Sequence, residues 1–203
     1  MKRLAILGAN GHGRVVADTA ELLGWSDVVF FDDAWPQCAD NSIWTVHGKG
    51  ADLLASLDQF SGVIVAIGDN VTRLRKINML IDAGAKLVTI VHPKAVISRY
   101  ASIDVGSFVC AGVVVNINAR IGSGAILNTG CSVDHDCFLA NAVHVSPGAR
   151  LAGGVNVEQC AWIGIGSVIR QSLTVGAGAI VGAGAVVVKD VLENTVVKGV
   201  PAE

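Results

Sequence analysis

The sequence predicts a chain in two parts: an α/β N-terminal Rossmann-like domain over residues 1–91, followed by a parallel β-helix over residues 92–203. Two observations carry this. From Ile97 to Val187 an aliphatic residue falls at every sixth position, sixteen times in succession without a slip. Ahead of that series, short apolar runs alternate with segments of helical apolar spacing.

The six-residue period fits neither the 3.6 of an α-helix nor the alternation of a flat strand. It is the hexapeptide signature of a β-helix, where each hexad forms one side of a coil. A coil cannot bury its aliphatic face alone, so its neighbours above and below supply the core. Three hexads per coil give a little over five coils, and strands about 4.8 Å apart make a prism roughly 25 Å long. Small or aliphatic residues such as Ala119, Ala125, Cys131 and Cys137 stand two before each member of the series. Gly106, Gly112, Asn116 and Gly124 suit the tight corners, where close approach or positive φ is needed. A β-sandwich would give strands and turns of varied length rather than a fixed spacing.

In the N-terminal part, Leu4–Leu7 is a first strand ending in Gly8-Ala9-Asn10-Gly11-His12-Gly13, and a helix follows over Arg14–Leu23. Val28–Phe31 is a second strand ending in Asp32-Asp33, and residues 62–67 form a third ending in Gly68-Asp69-Asn70. A helix over Val71–Ala83 leads to a strand at Leu87–Ile90. This alternation implies a parallel sheet with crossover helices. Its ligand site lies beyond the carboxyl ends of the strands, where the glycine loop, Asp32-Asp33 and Gly68–Asn70 fall. His92-Pro93 marks the join, because the residue before proline favours an extended link.

A formal net charge of −2 without a basic run argues against nucleic acid and anionic membrane as partners. No apolar stretch reaches the roughly 18 residues of a membrane span, so the mean hydropathy of +0.56 belongs to a β-helix core. Met1-Lys2-Arg3 lacks a signal-peptide cleavage region, and the five cysteines are scattered without a C-x-x-C pair. The expected compartment is cytoplasmic.

The glycine loop invites NAD, but its spacing is G-x-x-G-x-G rather than the dinucleotide fingerprint G-x-G-x-x-G. The chain also leaves no room before the repeat for a separate dehydrogenase catalytic domain. Such a loop still offers backbone N–H groups and a helix N-terminus to an anion, and a nucleotide pyrophosphate suits it. A plain packing turn is the structural alternative, although it has no need of His12.

Two of the five histidines fall in the repeat, neither in an inward slot. His135 stands between Asp134 and Asp136, and an Asp–His pair orients an imidazole and raises its basicity. Either carboxylate could do this. His144 stands just before inward Val145. A zinc site needs three or so ligands, and with no third histidine in the repeat no metal is expected.

With Gly8–Gly13, Phe31-Asp32-Asp33, Ala66–Asn70, Leu127-Asn128-Thr129, Val133–Cys137, His144–Ala149 and Gly199–Ala202, the chain resembles the bacterial hexapeptide-repeat sugar acyltransferases. It is most similar to the UDP-4-amino-sugar N-acetyltransferases of bacillosamine biosynthesis, with sialic acid O-acetyltransferases and perosamine N-acetyltransferases as relatives. The resemblance implies a left-handed parallel β-helix and acetyl-CoA-dependent N-acetylation of a nucleotide-linked amino-dideoxy sugar. It implies His135 as general base with Asp136 as its carboxylate. Asn10, Gly11, His12, Asp32, Asp33 and Gly68 would hold the nucleotide sugar, and His144, Ile165 and Ala183 the acetyl-CoA. It further implies a homotrimer with sites between subunits. O-acetylation of a sugar hydroxyl and a non-catalytic ligand-binding β-helix are the rival readings; the Asp-His-Asp run argues against the second.

Overall fold

The computed structural model describes residues 2–203, which divide into two compact units, one ending at His92 and one spanning Pro93–Glu203. In the first unit the order is β1 (Arg3–Leu7), α1 (Gly11–Leu22), β2 (Asp27–Phe31), β3 (Asp40–Asn41), β4 (Trp44–Gly48), α2 (Gly50–Leu54), β5 (Gly62–Val65), α3 (Asn70–Asp82) and β6 (Ile90–Val91). A five-stranded sheet has the order β3-β4-β2-β1-β5, parallel except where β3 meets β4. Central β1 buries Leu4 and Ile6 on one face and Ala5 and Leu7 on the other, as expected for a parallel strand covered on both sides.

Two glycines make the turn after β1 possible. Gly8 has φ 114°, and a Cβ there would lie 2.8 Å from the Ala66 carbonyl oxygen. A Cβ on Gly13 would strike the Gly8 carbonyl and the Phe30 ring. The loop therefore tucks against the end of β5 on one side and under β2 on the other.

Sequence and structure differ locally. Helix α1 begins at Gly11 rather than Arg14, so the glycine loop supplies its first turn. The expected strand at Leu87–Ile90 is reduced to a bridge between Leu87 and Val63, and the strand falls at Ile90–Val91 instead. Two hydrogen bonds, from Val63 N–H to the Lys86 carbonyl and from Val88 N–H to the Val63 carbonyl, tie the segment to β5.

In the second unit, two-residue strands recur every six residues from Val96–Ile97 to Val186–Val187. Each pairs in parallel with the strand 18 residues away, as Ile126–Leu127 does with His144–Val145. The strands stack into three sheets along a left-handed parallel β-helix. From Val109 to Val187 the inward residue of every strand is at most 2% exposed. Ile97 and Ile103, in the first coil, are half-buried. One corner residue per hexad, from Gly106 to Gly184, adopts positive φ; glycine fills most of these places, but Asn118, Asp136, Ala142, Cys160 and Ser172 fill the rest.

The prism outlasts the sequence period. Val191 bridges Val175, and Val196–Val197 pairs with Ile180–Val181. Those separations are two residues short of the 18 used below, so the last coil is tighter and its aliphatics fall out of step. Cys131 and Cys137 fill inward slots. Burial pushes the Cys131 thiol up to about 12 and raises that of Cys137 as well, so both are protonated at neutral pH and poor nucleophiles. Among the described residues, no helix is long and apolar enough to cross a membrane.

Candidate active site

His135 occupies the corner that follows strand Ser132–Val133. Its Nδ1 lies 2.7 Å from Oδ2 of Asp136, and both side chains are more than half exposed. Asp136 adopts φ 59°, a left-handed conformation that an aspartate tolerates better than most residues. Asn118 donates its amide N–H to Oδ1 of Asp136 at 3.0 Å. Asp134 is turned to the backbone: its Oδ1 accepts the His135 N–H at 2.8 Å and the Asn116 amide at 2.7 Å. The two carboxylates beside His135 thus do different things. Asp136 faces the ring, and Asp134 caps the turn.

The hydrogen bond to Asp136 raises the His135 pKa above its ordinary value, against some desolvation, and the charges of Asp134 and Asp136 add to it. The same bond, then that from Asn118, holds Asp136 below the usual carboxylate range. With Nδ1–H directed at a carboxylate, Nε2 is the nitrogen left to take a proton. An open cleft of about 570 Å³ runs alongside, lined by Tyr100, Ser102, Asn118, Arg120, Asp136, Cys137 and Phe138.

A separate groove of about 480 Å³ gathers His144, Ile165 and Ala183. The His144 ring stacks on Trp162 with centroids 4.7 Å apart, which leaves His144 buried although it faces outward. Trp162 Nε1–H donates to Ser146 Oγ at 2.8 Å, and the Asn128 amide lies 3.4 Å from His144 Nε2. Neither His135 nor Asp136 lines this groove. Asn128 and Ser146 fell within motifs read from the sequence but carried no role there, and Trp162 was not singled out. The 18-residue coil was the available signal, since it places 128 under 146 and 144 under 162.

In the first unit, the predicted residues gather at the carboxyl ends of β1, β2 and β5. Asp32 Oδ2 accepts the Ala9 N–H at 2.7 Å, which ties β2 to the glycine loop. Asp33 is bound to Lys76 at 2.6 Å and accepts the Gly50 N–H at 3.0 Å; the Lys76 bond is the main cause of its lowered pKa. Asn10 is the N-cap of α1 and makes no side-chain cap bond. A Cβ on Gly68 would meet nothing within 4 Å, and one on Gly11 nothing nearer than the Arg14 guanidinium at 3.7 Å, so both glycines border open space. His12 is half-buried; desolvation, with the charge of Arg73, brings its pKa down to about 4. Among the described residues, no group of three or more His, Cys, Asp or Glu could hold a metal ion.

The fold and this geometry define a hexapeptide-repeat acyltransferase with an appended α/β unit. A family model for the PglD N-terminal domain matches residues 3–80. The whole chain is similar to the acetyltransferase domain of PglB from Neisseria gonorrhoeae FA1090, solved in complex with acetyl coenzyme A. Identity is 40% and the TM-score 0.94, over 100% of this chain and 98% of that one. It is similar to PerB from Caulobacter crescentus, solved with CoA and GDP-perosamine, at 38% identity and TM-score 0.93, over 100% and 97%. WeeI from Acinetobacter baumannii AYE matches at 28% identity and TM-score 0.91, over 100% and 99%. The chain belongs to the hexapeptide-repeat sugar N-acetyltransferase family that includes the PglB acetyltransferase domain and PerB.

Proposed function

We propose that this protein transfers the acetyl group of acetyl-CoA to the 4-amino group of a UDP-linked amino-dideoxy sugar, as a cytoplasmic homotrimer in bacillosamine-type glycan biosynthesis. The observation that carries the reading is the His135–Asp136 pair, an exposed imidazole with Nδ1 held at 2.7 Å by a carboxylate. Its membership of a family whose solved members hold acetyl coenzyme A or CoA with GDP-perosamine supplies the reaction class.

The chemistry follows from what the amine needs. A protonated ammonium has no lone pair, so the acceptor reacts as the neutral amine. Its nitrogen attacks the thioester carbonyl carbon, and the C–O double bond opens to an oxyanion. His135 Nε2 takes a proton from that nitrogen. The carbonyl then re-forms, the C–S bond breaks, and the proton passes to the departing CoA thiolate. Asp136 stabilises the imidazolium in between. The buried, protonated cysteines suit a direct transfer without an acyl-enzyme. His144, Ile165 and Ala183 hold acetyl-CoA in the 480 Å³ groove. Asn10, Gly11, His12, Asp32, Asp33 and Gly68 hold the nucleotide sugar.

Acetylation assays with UDP- and GDP-linked 4-amino sugars, run beside hydroxyl acceptors of the sialic acid type, test the reaction. We expect turnover with a UDP-linked 4-amino sugar; turnover confined to hydroxyl acceptors would make the enzyme an O-acetyltransferase. Neither member of the His135–Asp136 pair lines the groove, which supports shared sites, with a base from one chain and a groove from its neighbour. Co-expressing His135→Ala chains with Ala183→Trp chains is expected to restore activity that each variant lacks alone. Verified mixed trimers without activity would mean that each site is built within one chain.

A further inference from the structure

We infer that Asn118 and Gly153, one coil to either side of the His135 corner, are positioning residues that set the geometry of the His135–Asp136 pair. The inference rests on the reading of His135 as the base, and it concerns what holds that base in place.

Three stacked coils contribute. Asn118 lies 18 residues before Asp136 and donates its amide to Oδ1 at 3.0 Å. That bond occupies one carboxylate oxygen and leaves the other, Oδ2, on His135 Nδ1 at 2.7 Å. Gly153 lies 18 residues after His135, and the imidazole rests directly on it. A Cβ at Gly153 would fall 2.5 Å from both Cε1 and Nε2 of the ring, far inside van der Waals contact. Gly153 is not among the residues with positive φ, so its backbone does not require glycine. What requires glycine is the space taken by the ring.

Asn118 can be tested without breaking the corner it sits in. It adopts φ 61°, in the column where glycine is the commonest occupant and where Ala142 is tolerated at φ 54°. Asn118→Gly therefore removes the amide while easing the backbone. A pair that has lost its anchor spends less time in the bonded geometry, and the pKa of His135 relaxes downward.

The experiment measures kcat, both KM values, the kcat–pH profile and Tm for Asn118→Gly, Gly153→Ala and His135→Ala in the full-length enzyme. We expect Asn118→Gly and Gly153→Ala each to lower kcat about 10-fold or more, within the range a misplaced base can cost. Tm and the KM for acetyl-CoA should hold. The acid limb of the Asn118→Gly profile should move to lower pH. Unchanged kcat in both variants, beside an inactive His135→Ala, would overturn the inference and leave the base standing. A fall in kcat that tracks a fall in Tm, with no change in the pH profile, would show a merely structural role and also overturn it. Near-normal turnover in His135→Ala would remove the base and this inference together.

Discussion

In the α/β unit, His12 is half-buried within reach of the Arg73 charge, and its pKa falls to about 4. On the prism, His135 stands exposed against a carboxylate, and its pKa rises. The same side chain is thus kept neutral in one unit and made more basic in the other. Burial dominates the first case, a hydrogen bond to a charged partner the second. The difference fits the division of labour proposed above. A neutral His12 can shape a ligand pocket without a pH switch near neutrality, whereas a proton acceptor has to titrate close to its working pH.

The largest effect expected on this contrast comes from the prism. His135→Ala should lower kcat by about 10²–10⁴-fold, the usual worth of a general base, with acetyl-CoA binding little changed by calorimetry. Near-normal turnover would remove His135 from the chemistry.

A smaller effect should come from Asp136→Asn. The carboxylate raises the His135 pKa, and the base works only when deprotonated, so activity rises with pH through that raised value. Asn lacks the charge, and the acid limb of the kcat–pH profile should move down toward pH 6.5 while kcat itself falls. A limb that stays in place would show that another group sets it.

The smallest effect belongs to His12 and to stability. Its folded pKa lies below the ordinary 6.5, so the unfolded chain binds more protons between those values. Stability contributed by the neutral ring is present above pH 6.5 and is lost as pH falls toward about 4. His12→Gln should flatten that part of the Tm–pH curve. An unchanged slope would assign the acid sensitivity elsewhere.

The two units also differed in how much of them could be read in advance. The prism was legible because each hexad repeats one physical requirement, an inward aliphatic residue, and the buried series Val109–Val187 answers it at every strand. Legibility ended where the period shortened by two residues, at Val191 and Val196–Val197. In the α/β unit, β1, β2, β5 and the two long helices followed from apolar spacing. The β3–β4 hairpin and α2 did not, since Asp40–Leu54 mixes a half-buried Trp44 and exposed His47 and Asp52 with scattered buried residues.

Of the prism corner, the neighbouring pair His135 and Asp136 was visible as a motif, but the different orientations of Asp134 and Asp136 were not. They depend on Asn116 and Asn118, one coil away. The groove shows the same limit: His144 was named without its stacking partner Trp162, which lies 18 residues on. Contacts at that spacing belong to the coil and leave no mark in a local motif.

The division of labour itself is tested most directly by steady-state kinetics on Asp32→Ala, with the nucleotide sugar and acetyl-CoA varied in turn. Asp32 holds the glycine loop through the Ala9 N–H and belongs to the unit assigned to the acceptor. The account predicts a raised KM for the nucleotide sugar with the KM for acetyl-CoA unchanged. A weakened hold on acetyl-CoA, with the nucleotide-sugar KM intact, would contradict it.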